Sequence, residues 1–272
     1  MLGRLIVAIL GIPVLMWIML KGEISLILFV ELIIGTALYE FYKMLEEGKE
    51  SINVSKKIGI VMGLTIPILQ VTLQKSQALS SKTIILGIVV SLIVFMSYQV
   101  FLGKIKNALE NASYTLFGVL YIGVMFSHIL LIKDLNAGRL WLLTVFLLMW
   151  ASDSAAYFVG INIGKHKLAP KISPKKSIEG AIGGLVAPIL SMLLLKYVLY
   201  FPNIEIIHCF GIGILVGVFG QIGDLSESLL KREFGIKDSS KILLGHGGVL
   251  DRFDSLLFVA PALYYYILIF GV

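Results

Sequence analysis

The sequence has few charged residues: Asp, Glu, Lys and Arg make up 15% of its 272 residues, whereas an ordinary soluble domain has about 25%. Hydrophobic residues make up 58%, and the mean hydropathy is +0.93. These values exclude a water-soluble globular protein, and the lack of long polar tracts excludes a disordered chain. Since a helix needs about 20 apolar residues to cross a bilayer, the composition predicts an all-α, polytopic integral membrane protein.

Cysteine is almost absent, because Cys209 is the only one in the chain. A framework of intramolecular disulfides is therefore excluded, and the apolar surroundings of Cys209 indicate a packing residue.

The net charge of +6 is found in many nucleic-acid-binding proteins, but cytoplasmic lysines of a membrane protein produce the same excess. We expect no nucleic-acid partner. The sequence contains no internal repeat.

Apolar stretches predict about nine transmembrane helices. The N-terminal stretch lacks a cleavage site of small residues after it, so we expect a retained first span rather than a signal peptide. About five spans fall in residues 1–138, an N-terminal membrane region, and about four in residues 139–272, a C-terminal catalytic region. The stretches lie at roughly 5–20, 24–42, 58–73, 83–102, 114–132, 139–161, 180–201, 206–226 and 253–271.

Lysine and arginine are distributed unevenly between the two sides that these spans define. With nine spans, 17 of the 23 Lys and Arg residues fall on the side of the N-terminus, and six fall on the other side. Because positive residues accumulate on the cytoplasmic side, the N-terminus and the loops after spans two, four, six and eight are predicted to be cytoplasmic. The membrane is then the cytoplasmic membrane.

Carboxylates are concentrated beyond residue 150, where nine of the 17 acidic residues lie. A carboxylate at the centre of a lipid-facing helix costs about 2.5 to 3.5 kcal/mol, so such residues usually face a polar cavity. Asp153 lies well inside the sixth span among small residues, as a site residue or as a hydrogen-bond anchor between helices. In the second span, Glu31 and Glu40 are either partners inside the bundle or residues near an interface.

A lysine-rich loop precedes the seventh span. Its cations and the helix entrance suit a polyphosphate or an anionic lipid head group. Two simpler interpretations stay open, since Ser177 is a plausible N-cap and cytoplasmic lysines also serve as a topology signal. The loop runs from Lys165 to Gly180 and contains Lys165, Lys167, Lys171, Lys175 and Lys176.

The most informative segment joins the last two predicted spans. Asp224, Ser228 and Lys231 fall on one face if the eighth helix continues, and Asp251 and Asp254 do the same at the start of the ninth. Between them, a glycine turn allows backbone N–H groups to approach phosphate closely. Carboxylates, cations and this turn predict a magnesium-polyphosphate site; the alternative is a solvated loop with surface ion pairs. The turn is Gly245-His246-Gly247-Gly248.

The run from Ser228 to Asp254 closely resembles the signature of phosphatidate cytidylyltransferases, the CDP-diacylglycerol synthases. Asp153 with the following Ala-Tyr pair, and the run from Ser173 to Gly180, resemble upstream blocks of that family, so the resemblance covers at least residues 150 to 255. One departure is Leu244, where the family usually has proline. The matching positions are Ser228, Lys231, Arg232, Lys237, Asp238, Ser240, Gly245, His246, Gly247, Gly248, Asp251, Arg252 and Asp254.

The resemblance implies transfer of a cytidylyl group from CTP to phosphatidic acid among the membrane lipids, giving CDP-diacylglycerol and pyrophosphate. It implies Mg2+ as cofactor, alone or with a second cation, and a homodimer. Metal ligation falls to Asp224 and Asp251, with Asp254 and Asp153 as weaker candidates. The residues expected to bind phosphates are Lys175, Lys176, Lys231, Arg232, Lys237 and Arg252.

The catalytic group then comprises Asp224, Asp251, Lys176, Lys231, Arg232 and His246. Because phosphatidate is already an anion near neutral pH, His246 is expected to donate a hydrogen bond or organise the turn rather than to act as the base. The remaining substrate-binding candidates are Ser177, Glu179, Ser228, Asp238, Gly245, Gly247 and Gly248.

Two other functions must be distinguished. A CTP-dependent lipid-alcohol kinase would use the same nucleotide and cleave it at the γ-phosphate. An ion-coupled transporter would also carry acids inside the membrane, but transporters commonly show paired repeats, which this sequence lacks. The length of the matching signature favours the cytidylyltransferase.

The charge distribution generates a prediction about orientation. In a Cys209→Ala background, a cysteine that replaces Ser173 should react with an impermeant thiol reagent only from the cytoplasmic side. A cysteine that replaces Ser80 should react only from the outside. The opposite pattern would deny the predicted site access to cytosolic CTP and would contradict the orientation.

Overall fold

The computed structural model describes residues 11, 13–20, 23–48, 52, 54–74, 80–103, 105–199, 204–240 and 247–272. Within these ranges the chain is helical apart from its connections and one short two-stranded sheet. Residues 11 and 13–20 are helical and belong to the predicted first span, and the other residues of that span lie outside the described ones. The longer helices are α1 (Glu23–Gly48), α2 (Lys56–Gln74), α3 (Ser80–Leu102), α4 (Ala108–Lys133), α5 (Gly138–Ile163), α6 (Ile178–Val198), α7 (Ile206–Glu233) and α8 (Leu250–Phe270).

Six of the described helices are long and apolar enough to cross a membrane: α1, α4, α5, α6, α7 and α8. The all-α membrane class agrees with the sequence analysis, whereas the count of nine spans stays a prediction. Helix α3 contributes a shorter apolar stretch, Val89–Leu102. Each of the eight helices overlaps one predicted apolar stretch, so the order of the elements follows the hydropathy of the sequence.

The chain forms two compact units, which interleave along the sequence. The first comprises residues 1–131 and 233–252, and the second comprises residues 132–232 and 253–272. The sequence analysis divided the chain after residue 138 into an N-terminal membrane region and a C-terminal catalytic region. This functional division stays a prediction. The segment that carries part of the family signature thus belongs to the same unit as α1.

In the first unit, Tyr42 joins three helices. Its hydroxyl donates a hydrogen bond to the backbone oxygen of Thr115 at 2.8 Å, and its ring lies against Gly59 and Gly118, where a Cβ atom would collide with it. Helix α4 has a π-helical stretch at Val119–Val124, which the apolar pattern does not predict. This packing holds the part of α1 that carries Glu40 against α2 and α4.

In the second unit, small residues let α5, α6 and α7 approach closely, as expected for helices in a membrane. The Ser152 hydroxyl donates to the backbone oxygen of Gly184 at 2.6 Å, and Gln221 Nε2 donates to the backbone oxygen of Ala181 at 3.0 Å. Ser152 thus makes a hydrogen bond between helices of the kind that the sequence analysis considered for its neighbour Asp153, for which both alternatives stay open.

Two glycines of α7 provide a matched test of this packing. A Cβ atom at Gly213 would lie 2.5 Å from the Cα atom of Ile189, whereas one at Gly220 would meet nothing closer than 3.7 Å. Because backbone cannot move aside easily, Gly213→Ala should lower the free energy of unfolding by about 1 to 3 kcal/mol. Gly220→Ala should be neutral or stabilising. Thermal unfolding in detergent measures both, and equal midpoints would contradict the close packing.

Candidate active site

A β-hairpin stands where the sequence analysis expected only a lysine-rich loop. Its strands are β1 (Lys167–Ala169) and β2 (Ser173–Ser177), which pair antiparallel with Lys167 opposite Ser177. Short strands rich in lysine, with Pro174 inside the second one, carry no alternating apolar pattern. The hairpin therefore left no periodic signal in the sequence.

Ser177 and Glu179 close the base of the hairpin. The Ser177 hydroxyl accepts a hydrogen bond from the Gly180 N–H at 3.1 Å, so the predicted N-cap of α6 is confirmed. The Glu179 carboxylate accepts from the backbone N–H of Lys165 at 3.1 Å and of His166 at 3.2 Å. His166 Nδ1 lies 2.6 Å from Glu179 Oε1. Both side chains thus order the hairpin, and their predicted contact with substrate stays a prediction.

Two contacts join the hairpin to α7. Lys176 Nζ lies 2.7 Å from Asp224 Oδ2. Arg232 Nε donates to the backbone oxygen of Ile172, at the turn of the hairpin, at 3.1 Å. Two motif blocks that are far apart in the sequence therefore meet inside the second unit.

Helix α7 continues to Glu233, so Asp224, Ser228 and Lys231 lie on one face, as predicted. The Ser228 hydroxyl lies 3.4 Å from Asp224 Oδ1, which is long for a hydrogen bond. Lys231 is buried and forms an ion pair with Glu227, one turn earlier, which is 1% exposed. The sequence analysis did not select Glu227, although a Glu four residues before a Lys on a helix is a recognisable pair. Part of the Lys231 charge is balanced within α7.

Asp254 completes a charged cluster in the second unit. Its carboxyl group interacts electrostatically with Asp224, Asp153 and Lys231. Asp254 Oδ1 also accepts from the backbone N–H of Ser255 at 2.6 Å. Asp254 is thus within electrostatic range of two other predicted metal ligands, Asp224 and Asp153. In the part of the chain that the structure describes, no three acidic, histidine or cysteine side chains are arranged as a ready metal site.

Asp251 makes a different set of contacts, in the first unit. It lies in the first turn of α8, as predicted. Its Oδ2 atom accepts from the Ser239 N–H and the Ser239 hydroxyl, both at 3.0 Å, and from the Gly248 N–H at 2.7 Å. Gly247 has φ +80 and a Cβ there would lie 2.5 Å from Asp251 Oδ2, so this turn requires glycine. The Asp251 carboxylate thus contacts Gly247 and Gly248, the described part of the glycine turn.

The other predicted site residues are exposed or fall outside the described residues. The exposed ones are Lys175, Lys237, Asp238 and Arg252. Leu244, Gly245 and His246 lie outside the described residues. The functional roles of all these residues stay predictions.

Glu40 makes the main set of contacts that the sequence analysis did not assign. It is fully buried in α1, and its carboxylate accepts hydrogen bonds from the segment around Ser239 and from the start of α8. The sequence analysis left open whether Glu40 is a partner inside the bundle or a residue near an interface, and the position inside the bundle is confirmed. The only signal in the sequence was an acidic residue within an apolar helix, which indicated that a partner exists without indicating which one.

Comparison of the sequence with known proteins identifies the family. The model of the cytidylyltransferase family matches residues 2–270. The phosphatidate cytidylyltransferase of Staphylococcus aureus (strain COL) is 38% identical over 260 residues, and that of Staphylococcus saprophyticus subsp. saprophyticus is 36% identical over 260 residues. Each alignment covers 96% of both chains. With the family model spanning nearly the whole sequence, this chain belongs to the cytidylyltransferase family.

Proposed function

We propose that this protein transfers a cytidylyl group from CTP to phosphatidate, giving CDP-diacylglycerol and pyrophosphate for phospholipid synthesis. The observation that carries the proposal is the contact between Lys176 of the hairpin and Asp224 of α7, which brings two blocks of the family signature together. Family membership and relatives with this activity in their names support the same function.

The chemistry requires two anions to meet. A phosphate oxygen of phosphatidate attacks the α-phosphorus of CTP, the bond from that phosphorus to the oxygen bridging to the β-phosphate breaks, and pyrophosphate leaves. Lys176, Lys231 and Arg232 are cations gathered on one hairpin and one helix end, where they lower the repulsion between the anions and stabilise the departing charge. No side-chain base is required, because the attacking oxygen is already ionised.

Magnesium is the cofactor that we propose, and the proposal is supported by the chemistry of the acids of the second unit. Carboxylate oxygens are the ligands that Mg2+ prefers. Asp254 is electrostatically close to Asp224 and Asp153, and a divalent cation would relieve the repulsion of Asp254 by these two carboxylates. These three acids are the residues that would hold it. Bound magnesium would supply charge neutralisation at the phosphate oxygens.

The Asp251 carboxylate accepts hydrogen bonds from Ser239 and Gly248. We therefore propose that Asp251 acts by ordering the glycine turn. Whether it also ligates metal, as the sequence predicts, is tested by the magnesium titration described below. A second cation remains a prediction.

We further propose nine spans in the cytoplasmic membrane, with the N-terminus and the hairpin on the cytoplasmic side. The support is the 17 to 6 division of Lys and Arg in the sequence. In this orientation the hairpin lysines face the compartment that supplies CTP. The homodimer is proposed from the family resemblance alone.

The activity is tested with purified protein in detergent, phosphatidic acid, a lipid alcohol, magnesium and labelled CTP. We expect the label of α-labelled CTP to enter the lipid phase only when phosphatidic acid is present. The label of γ-labelled CTP should leave as pyrophosphate. Transfer of the γ-label to the lipid alcohol would instead identify a lipid-alcohol kinase and contradict the proposal.

The metal assignment is tested with Asp224→Asn and Asp251→Asn. Asparagine keeps the size of aspartate and removes its charge, so each variant should lower cytidylyl transfer by at least about 100-fold, the scale of losing one preorganised electrostatic contact. Only Asp224→Asn should raise the magnesium concentration needed for half-maximal rate. Rates are measured across a magnesium titration after each variant has been shown to be monodisperse.

Glu47→Gln is the control, because Glu47 is exposed and pairs only loosely with Lys43, at 3.5 Å. It should leave the rate unchanged. Near-normal rates for Asp224→Asn would remove that residue from the metal site. A raised magnesium requirement for Asp251→Asn would show that Asp251 is a metal ligand after all.

A further inference from the structure

The Glu40 carboxylate collects four hydrogen-bond donors that lie about 200 positions later in the chain. The donors are the backbone N–H of Val249 at 3.0 Å, the backbone N–H of Leu250 at 2.8 Å, and the hydroxyls of Ser239 and Ser240. Glu40 itself is 0% exposed. Because an isolated buried carboxylate is very unfavourable, these donors account for the presence of an acid in α1.

The position of these donors gives the carboxylate a second effect. Val249 and Leu250 lie at the start of α8, where backbone N–H groups have no partner within the helix. A negative charge there is also favoured by the helix dipole. This capping role usually falls to a residue next to the helix in the sequence, whereas here it falls to a residue of α1.

Glu40 and Asp251 hold the same segment from two sides. The Ser239 hydroxyl lies 3.3 Å from Glu40 Oε2 and 3.0 Å from Asp251 Oδ2. Gly248 is packed between the same groups, since a Cβ there would lie 2.6 Å from Glu40 Oε2. Gly248 and the serine pair Ser239 and Ser240 are thus tied to α1 through one carboxylate.

We propose that Glu40 is a positioning residue for cytidylyl transfer. Lys237 and Asp238 directly precede Ser239, and Arg252 follows Leu250 by two residues. Fixing Ser239 and the start of α8 therefore fixes the backbone that carries these proposed substrate-binding side chains. The inference rests on the proposed function, and it adds a residue outside the family signature to the machinery for that function.

Glu40→Gln is the main test. The amide keeps the size of the carboxylate, but its NH2 group faces donors and cannot accept from them. We expect kcat/KM for CTP to fall at least about 10-fold in the monodisperse fraction, the scale of losing a helix cap. Glu40→Asp keeps the charge and should recover part of this loss. A purely structural residue would reduce the yield of folded protein while the folded fraction kept the kcat and KM of the parent, and that result would overturn the proposal.

Glu31→Gln is the matched control, because it removes a second acid from the same helix. The buried Oε1 atom of Glu31 has no hydrogen-bond partner, so this variant should keep the kcat/KM of the parent. If Glu40→Gln yields no monodisperse protein, Ser240→Ala decides, since it removes one donor from Glu40 Oε1. A lowered kcat/KM for CTP in Ser240→Ala supports the proposal, and parent-like kinetics overturn it.

Hydrogen exchange separates this inference from the proposed function, because it needs no activity. The amides of Val249 and Leu250 should exchange faster in Glu40→Gln than in the parent and in Glu31→Gln. Unchanged exchange would refute the role of Glu40 even if the parent makes CDP-diacylglycerol. Faster exchange in a protein that makes none would refute the proposed function and leave the contact intact.

Discussion

The need to satisfy carboxylates inside an apolar helical bundle governs the organisation of this protein. A buried acid is most stable where donors or cations surround it, and three of the described acids obtain such partners in different ways. Glu40 receives backbone and hydroxyl donors, Asp224 receives Lys176, and Glu227 receives Lys231. The segments that supply these partners are the ones that carry the family signature. Satisfying the acids therefore also assembles the residues proposed for catalysis.

Close helix packing in the second unit complements these polar contacts. Small residues bring α5, α6 and α7 together, and the Ser152 hydroxyl adds a hydrogen bond between two of them. Such packing gives the hairpin and the end of α7 a firm base, because both continue directly from tightly packed helices. The contact of Arg232 with Ile172 then fixes the turn of the hairpin. The lysine-bearing strands thereby have a defined position against the end of α7.

The sequence predicted those features that depend on neighbours along the chain. Hydropathy located the helices, helical spacing put Asp224 and Ser228 on one face, and Ser177 was identified as an N-cap. Features that depend on distant partners were not predictable in this way. The donors of Glu40 lie about 200 residues away, and the hairpin has no apolar alternation that could reveal it. The π-helical stretch in α4 also leaves the apolar pattern unchanged.

The contact between Glu40 and the start of α8 has a consequence for biosynthesis. Helix α1 leaves the ribosome long before residues 239–250 exist, so the Glu40 carboxylate enters the membrane without its final donors. Contacts between residues so far apart in sequence form late, because the chain entropy of closing the intervening loop must be overcome first. Until residues 239–250 are made, the Glu40 carboxylate lacks these four donors. Their arrival satisfies it and at the same time brings Asp251 and Arg252 into the same unit as α1.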